Sequence, residues 1–330
     1  MANQKLKLLY VLEILKRESD ENHPVNADKI LSSLEEQGIH CERKSIYSDI
    51  AVLKEYGFDI LCNKGNQNGY FLASREFESV EIQLLCDAVE SAKFISKKKT
   101  EQLLQKILKM TSEAHAKEIR THFHVSSCPK KENEEIYYHI DKLTRAIEAE
   151  QKIHVLYRRH QVSKGNALSF YDKEYVLSPY AMLWSNEYYY LVANYEKYND
   201  LMVLRVDRIR SMEILEGEKV RPHKEVSPYQ DSFDSADYAR KHFNMYAGES
   251  EPVELICQNE TIEQVLDRFG DKVHFYGVDE ERFGMQAEMA VNDGLIAWLL
   301  QFGAKIKVKK PEYLKKMILK RVNELQELYS

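Results

Sequence analysis

Apolar positions recur at helical spacing through the first part of the chain, and then the period changes. Leu8, Leu9, Leu12 and Leu15 share one face of a helix over 5–17. Ile30, Leu31 and Leu34 do the same in a second helix, which Asn26 can cap and Gly38 can end in a left-handed conformation. A third helix runs from about Glu42 to Tyr56, with Ile46, Ile50 and Leu53 inward and Gly57 at its end. Asp59–Cys62 and Tyr70–Ala73 are short apolar runs around NKGNQNG, the pattern of a hairpin with a polar tip. Residues 79–124 read as helical throughout, carrying Val80, Leu84, Leu85 and Ala88, then Leu103, Leu104, Ile107 and Leu108. The SKKK between these runs reads as solvated, and the apolar faces left over suit dimer contacts. Cys128 to Asn133 breaks the pattern and marks a boundary.

Three helices and a hairpin in so short a stretch predict a winged helix-turn-helix. Glu134–Glu150 is helical again, with Ile136, Ile140, Leu143 and Ile147 in register. Six short strands follow, around 153–157, 171–177, 180–184, 188–193, 201–206 and 211–215, which suggests a small closed or partly open barrel. Beyond 222–228 the order is strand, helix, two strands, helix, strand, the ferredoxin-like βαββαβ pattern. Pro311 opens a final helix with Leu314, Ile318, Val322 and Leu325. The expected class is therefore multidomain α+β. A winged helix-turn-helix spans 1–75, a helical connector and dimerisation region 76–133, a small β-barrel 134–225 and a ferredoxin-like domain 226–330.

The net charge of −6 excludes a uniformly basic nucleic-acid binder, so any such contact must come from a local patch. The five cysteines are scattered and lack a C-x-x-C pair, as expected of reduced thiols in the cytoplasm. The N-terminal apolar run is interrupted at once by Glu13, Lys16 and Arg17, which fits neither a signal peptide nor a membrane span.

Candidate chemistry lies in two places. On the third helix, Arg43, Lys44, Ser45, Tyr47 and Ser48 occupy the outward N-terminal part, the part of a recognition helix that enters the major groove. Lys64, Asn66 and Gln67 at the hairpin tip are placed to reach a neighbouring groove or backbone. A solvated face on a protein-binding module fits the same residues, because the first 75 residues balance ten Lys/Arg against eleven Asp/Glu. The second place is 178–209, dense in tyrosine and closed by arginines, which suits a planar anionic ligand or a plain sheet core with a charged rim. Strand alternation separates Arg205 from Arg208. Arg205 is the better ligand contact, and Arg208, on an apolar face, needs an acidic residue, a carbonyl or the ligand as partner. Tyr157, Tyr180 and Tyr190 are the candidate stacking or hydroxyl groups. His122, His124 and Cys128 have a metal-like spacing but no fourth ligand, so neither metal nor cofactor is expected. No phosphate-binding loop, dinucleotide fingerprint or nucleophile elbow is present, and no catalytic cluster announces itself, so an enzyme is not expected.

The segment RKSIYSDIAVLKEYGFDI, with GYFL at Gly69–Leu72, resembles the winged helix of WYL-domain transcriptional regulators, which carry R-[RK]-T-[IV]-Y-R-D-[IL] and G-Y-x-L. Arg43, Lys44, Ser45, Ile46, Tyr47, Asp49 and Ile50 match, and Ser48 stands where an arginine is common. Tyr189-Tyr190-Leu191 lies in the place of Trp-Tyr-Leu, and Leu204 to Ile209 is similar to F-R-L-D-R-I, with Met202 where a further arginine is frequent. WLLQFG at Trp298–Gly303 and PEYL at Pro311–Leu314 resemble the C-terminal extension that follows such domains. The resemblance implies a bacterial regulator with an SH3- or Sm-like barrel, double-stranded promoter DNA as partner, a nucleotide or single-stranded nucleic-acid effector, and a homodimer. A sensor of the same effector acting through protein contacts is the alternative.

Overall fold

The structure, a computed structural model, describes residues 2–63, 68–122, 130, 135–162, 168–246 and 248–330. The chain divides into two compact units, Met1–Glu134 and Glu135–Ser330.

In the first unit, α1 (Ala2–Glu18), α2 (Ala27–Glu36) and α3 (Arg43–Tyr56) precede a hairpin of β1 (Ile60–Asn63) and β2 (Gly69–Leu72). The apolar faces read from the sequence meet in one core, with Val11, Leu15, Ile30, Leu34, Ile46, Ile50, Leu53 and Ile60 buried together. The Asn26 side chain accepts from Lys29 N at 2.8 Å and starts α2. Gly57, at φ +117°, ends α3 in a backbone region that a side chain rarely tolerates. The hairpin pairs Ile60 with Leu72 and Asn63 with Gly69. Its tip, with Lys64, Asn66 and Gln67, lies outside the described residues.

Val25 adds a backbone bridge to Tyr70, with N–H to carbonyl distances of 2.9 and 2.7 Å. That bridge brings the Val25 carbonyl carbon to 2.7 Å from the position a Cβ on Gly69 would take. Gly69→Ala is therefore expected to destabilise the unit by about 2 kcal/mol through backbone overpacking. Urea unfolding of the full chain, read on the first unit's transition, checks this.

The segment 79–124 departs from the single helical run expected of it. It forms α4 (Ser79–Ser91), α5 (Lys97–Leu108) and α6 (Glu113–His122). The breaks arise because serine side chains cap new helices there. Ser96 Oγ accepts from Lys99 N, and Ser112 Oγ accepts from His115 N. The SKKK stretch is a cap and a first turn, and its Lys97 and Lys98 are exposed to solvent as expected. Val80 and Leu84 stay 66% and 63% exposed on α4.

The second unit opens with α7 (Ile136–Glu148), which packs on a five-stranded antiparallel sheet. Its strands are β3 (Gln151–Val162), β4 (Leu168–Ser185), β5 (Tyr188–Tyr195), β6 (Leu201–Arg205) and β7 (Ile209–Lys219), in the order β6-β5-β4-β3-β7. Six strands were expected. The two runs around Pro179 are one long strand, because the ladder shifts register between Pro179 and Ala181 and continues past the residue that lacks an N–H. The strand expected over 201–206 stops at Arg205, and a 3-10 turn, Val206–Arg208, leads into β7.

Helix α8 (Ser235–Lys241), which the sequence expectation lacks, is capped by Asp234 accepting from Asp237 N at 2.8 Å. Tyr238 of α8 and Met245 pack on Leu183 and Val192 of the five-stranded sheet. Then come β8 (Ser250–Gln258), α9 (Ile262–Phe269), β9 (His274–Gly277), β10 (Arg282–Ala290), α10 (Asp293–Leu300) and β11 (Ile306–Lys310). These four strands form an antiparallel sheet in the order β11-β8-β10-β9. Val253, Leu255, Met285 and Met289 pack with Val265, Phe269, Leu295 and Leu299 of the two helices. Helix α11 (Glu312–Tyr329) closes the unit and buries Leu314. Among the described residues no helix is long and apolar enough to cross a membrane.

Candidate functional site

The outward face of α3 is built by what its inward face holds. Ile46, Ile50 and Leu53 go into the core, which leaves Arg43, Lys44, Tyr47 and Ser48 exposed on its first turns. Arg43 Nε donates to the Tyr47 hydroxyl at 2.9 Å, and its guanidinium lies 3.3 Å from Asp28. These two partners raise the Arg43 pKa above its ordinary value. Ser45 is placed differently from the outward position expected of it. Its hydroxyl donates to the Glu42 carbonyl and accepts from Lys7 Nζ, both at 2.9 Å. Lys7, buried between α1 and α3, also lies 2.9 Å from the Asp49 carboxylate. That polar clasp was not legible in the sequence, where Lys7 reads as one of two basic residues ahead of an apolar run.

The second cluster sits where β6 ends. Arg205 and Asp207 form a two-pronged ion pair at 3.0 and 2.9 Å, and the Arg205 guanidinium lies 3.4 Å above the Tyr188 ring. The 3-10 turn then carries Arg208 into contact with the Tyr157 hydroxyl, to which it donates; Arg205 N–H donates to the same hydroxyl at 3.2 Å. Burial raises the Tyr157 pKa, and the Arg208 cation opposes that rise. Burial also raises Tyr190, which pairs with Arg205 across the strands. Among the described residues Arg208 forms no ion pair, and its Nε is sealed from solvent with no hydrogen-bond partner. Tyr180 does not join this group. Its hydroxyl donates to the Arg221 carbonyl at 2.8 Å, its ring packs on Phe233 and His223, and burial pushes it up to about 12.

A family model described as the WYL domain matches residues 138–214, and one described as the WCX domain matches 249–326. The chain carries a WYL domain followed by a WCX domain. No curated protein matches it. Among solved structures it is similar to proteasome accessory factor B/C (PafBC) of Arthrobacter aurescens, at 14% identity and a TM-score of 0.27, over 95% of this chain and 47% of that one. The chain thus spans about half the length of that structure.

Within the WYL domain, the Tyr-Tyr-Leu and Leu-Arg-Val-Asp-Arg-Ile motifs form β5, the end of β6 and the 3-10 turn. Tyrosines continue from the arginine cluster across the sheet. Tyr157 meets Tyr175 edge-on at 6.4 Å, Tyr175 meets Tyr195 at 5.4 Å, and Tyr195 meets Tyr198 at 5.9 Å. Cations line this row, with Lys173 over Tyr175, Lys197 over Tyr195, and Arg159 donating to the Tyr175 hydroxyl. Sequence reasoning missed Tyr175, Arg159 and Lys173. The β3–β4 register, Val155 opposite Tyr175 and Tyr157 opposite Lys173, is the signal that could have found them. His124 and Cys128 lie outside the described residues, and among the described ones no His/Cys/Asp/Glu group could hold a metal.

Proposed function

We propose that the chain is a WYL-type transcription regulator of the cytoplasm. In this reading the first unit is a winged helix-turn-helix that binds double-stranded promoter DNA. The WYL barrel, SH3-like in its strand–turn–strand ending, senses a nucleotide or single-stranded nucleic acid, and the ferredoxin-like WCX domain completes a subunit that works as a homodimer. The exposed Val80 and Leu84 of α4 supply apolar area for that dimer. The family matches support the regulator class. The sensing step rests on one observation, the uncompensated Arg208 beside a tyrosine row. A half-buried cation with a sealed, unpartnered N–H is costly unless an anion completes it. Arg205, with its charge met by Asp207 and its face covered by Tyr188, holds the turn in shape. A ligand phosphate at Arg208 meets that need, and since Tyr157 and Tyr175 are buried in the sheet, only the exposed Tyr198 end of the row is open to a base. The chain then acts by population shift, the effector favouring the dimer arrangement whose winged helices match the operator spacing.

Titration of the full chain with a short single-stranded oligodeoxynucleotide and with AMP tests this. Arg208→Met is expected to weaken whichever binds by about tenfold or more, the loss of one charge-assisted contact. Unchanged affinity in a folded Arg208→Met protein overturns the assignment.

A further inference from the structure

Arg43 and Lys44 stand side by side at the exposed start of α3, yet they are held differently. The Arg43 Nε donates to the Tyr47 hydroxyl one turn further on, and its Nη1 lies 3.3 Å from the carboxylate of Asp28, an exposed residue in the first turn of α2. The Tyr47 ring is tilted against Tyr70 of β2 with 6.3 Å between centroids, and Tyr70 is tied to Val25 by the backbone bridge. Recognition helix, preceding helix and wing strand therefore all bear on where one guanidinium points. Among the described residues Lys44 has no carboxylate beside it.

We infer that Arg43 reads the edge of a guanine, and that Asp28 is the residue that gives it this preference. Of the five guanidinium N–H groups, Tyr47 takes the one on Nε, so the rest, on the two terminal nitrogens, are left for a ligand. A phosphate brought to that end also meets the Asp28 carboxylate, and like charges oppose it. Guanine presents two neutral acceptors in the major groove, O6 and N7, which a guanidinium meets as a pair and a carboxylate does not repel. Adenine sets an amino donor beside its N7, so the same pair of N–H groups is not met. Lys44, a point charge free of this constraint, is the phosphate contact. Asp28 is a positioning residue: it lowers attraction to duplex in general and raises selectivity for one G·C pair. The inference rests on the reading of the first unit as a DNA-binding winged helix.

The full chain is used to select from a randomised duplex pool, and each guanine of the selected site is then replaced by 7-deazaguanine, which lacks only the N7 acceptor. One replacement is expected to weaken binding of the parent by about tenfold and to leave binding of Arg43→Ala unchanged. Asp28→Asn should narrow the preference for that G·C pair over A·T by about fivefold or more, while it binds unselected duplex as tightly as the parent or tighter. Lys44→Ala should weaken selected and unselected duplex alike and lower the salt slope. All three side chains are exposed, so the circular dichroism spectra should match that of the parent. The guanine assignment is overturned, with duplex binding left standing, if no replacement separates the parent from Arg43→Ala or if Asp28→Asn keeps the parent's preference. A parent that retains no duplex from the pool overturns the assignment and the DNA-binding reading together.

Discussion

Alanine at both Arg43 and Lys44 is expected to weaken binding of the full chain to duplex promoter DNA by about 100-fold, the loss of two groove or phosphate contacts. Both side chains are exposed on the first turns of α3, where a recognition helix meets base edges and backbone. Arg43 is held in place by Tyr47 and Asp28, so its guanidinium is presented with little freedom left to lose on binding. The slope of affinity against salt should fall as well, by about one unit for each phosphate contact removed. Electrophoretic shift or fluorescence anisotropy across a salt series reads both effects. Neither residue touches the core, so thermal stability should not move. If the double variant binds duplex as the parent does, α3 is not the recognition helix and the protein-contact reading gains.

Lys7→Ala is expected to cost the first unit about 3 kcal/mol of stability, the low end of what breaking a buried ion pair costs. Lys7 is 7% exposed, donates to the Ser45 hydroxyl at 2.9 Å and forms an ion pair with Asp49 at 2.9 Å, both on α3. Removal of the cation leaves the Asp49 carboxylate with its desolvation and without its partner. Lys7→Met with Asp49→Leu separates this from loss of packing. Replacement of the whole pair by apolar groups of similar size should restore most of the stability, whereas either single change should not. Urea unfolding of the single and double variants checks the cycle. The clasp also fixes how α3 lies against α1, so Lys7→Ala should weaken duplex binding although Lys7 itself is hidden.

The two arginines of the 204–209 motif show how far one-dimensional reasoning reached. Alternation separated Arg205 from Arg208, and the structure separates them by the end of β6. Alternation also makes Arg205 the better ligand contact, and in the structure its charge is met by Asp207 and its face by the Tyr188 ring. Asp207 shares a 3-10 turn with Arg208 but reaches back to Arg205, a pairing set by backbone dihedrals that residue type does not reveal. Tyr180 was grouped with Tyr157 and Tyr190 because all three are tyrosines in strands. The bulge after Pro179 places it with Arg221 and Phe233 instead.

Elements that depend on their own periodicity were determined by the sequence alone: the three N-terminal helices and their hairpin, α7, the β-α-β-β-α-β order after residue 250, and the motifs that match the WYL and WCX domains. Burial of one face imposes a period of 3.6 or 2, and that period is written in the residues themselves. Tertiary structure decided what depends on partners distant in the chain. It fused two expected strands into β4, turned Ser45 inward to Lys7, matched Asp207 to Arg205, and left the Arg208 Nε without a hydrogen-bond partner. A side chain's charge is local, but its compensation is set by whatever the fold brings within hydrogen-bonding distance.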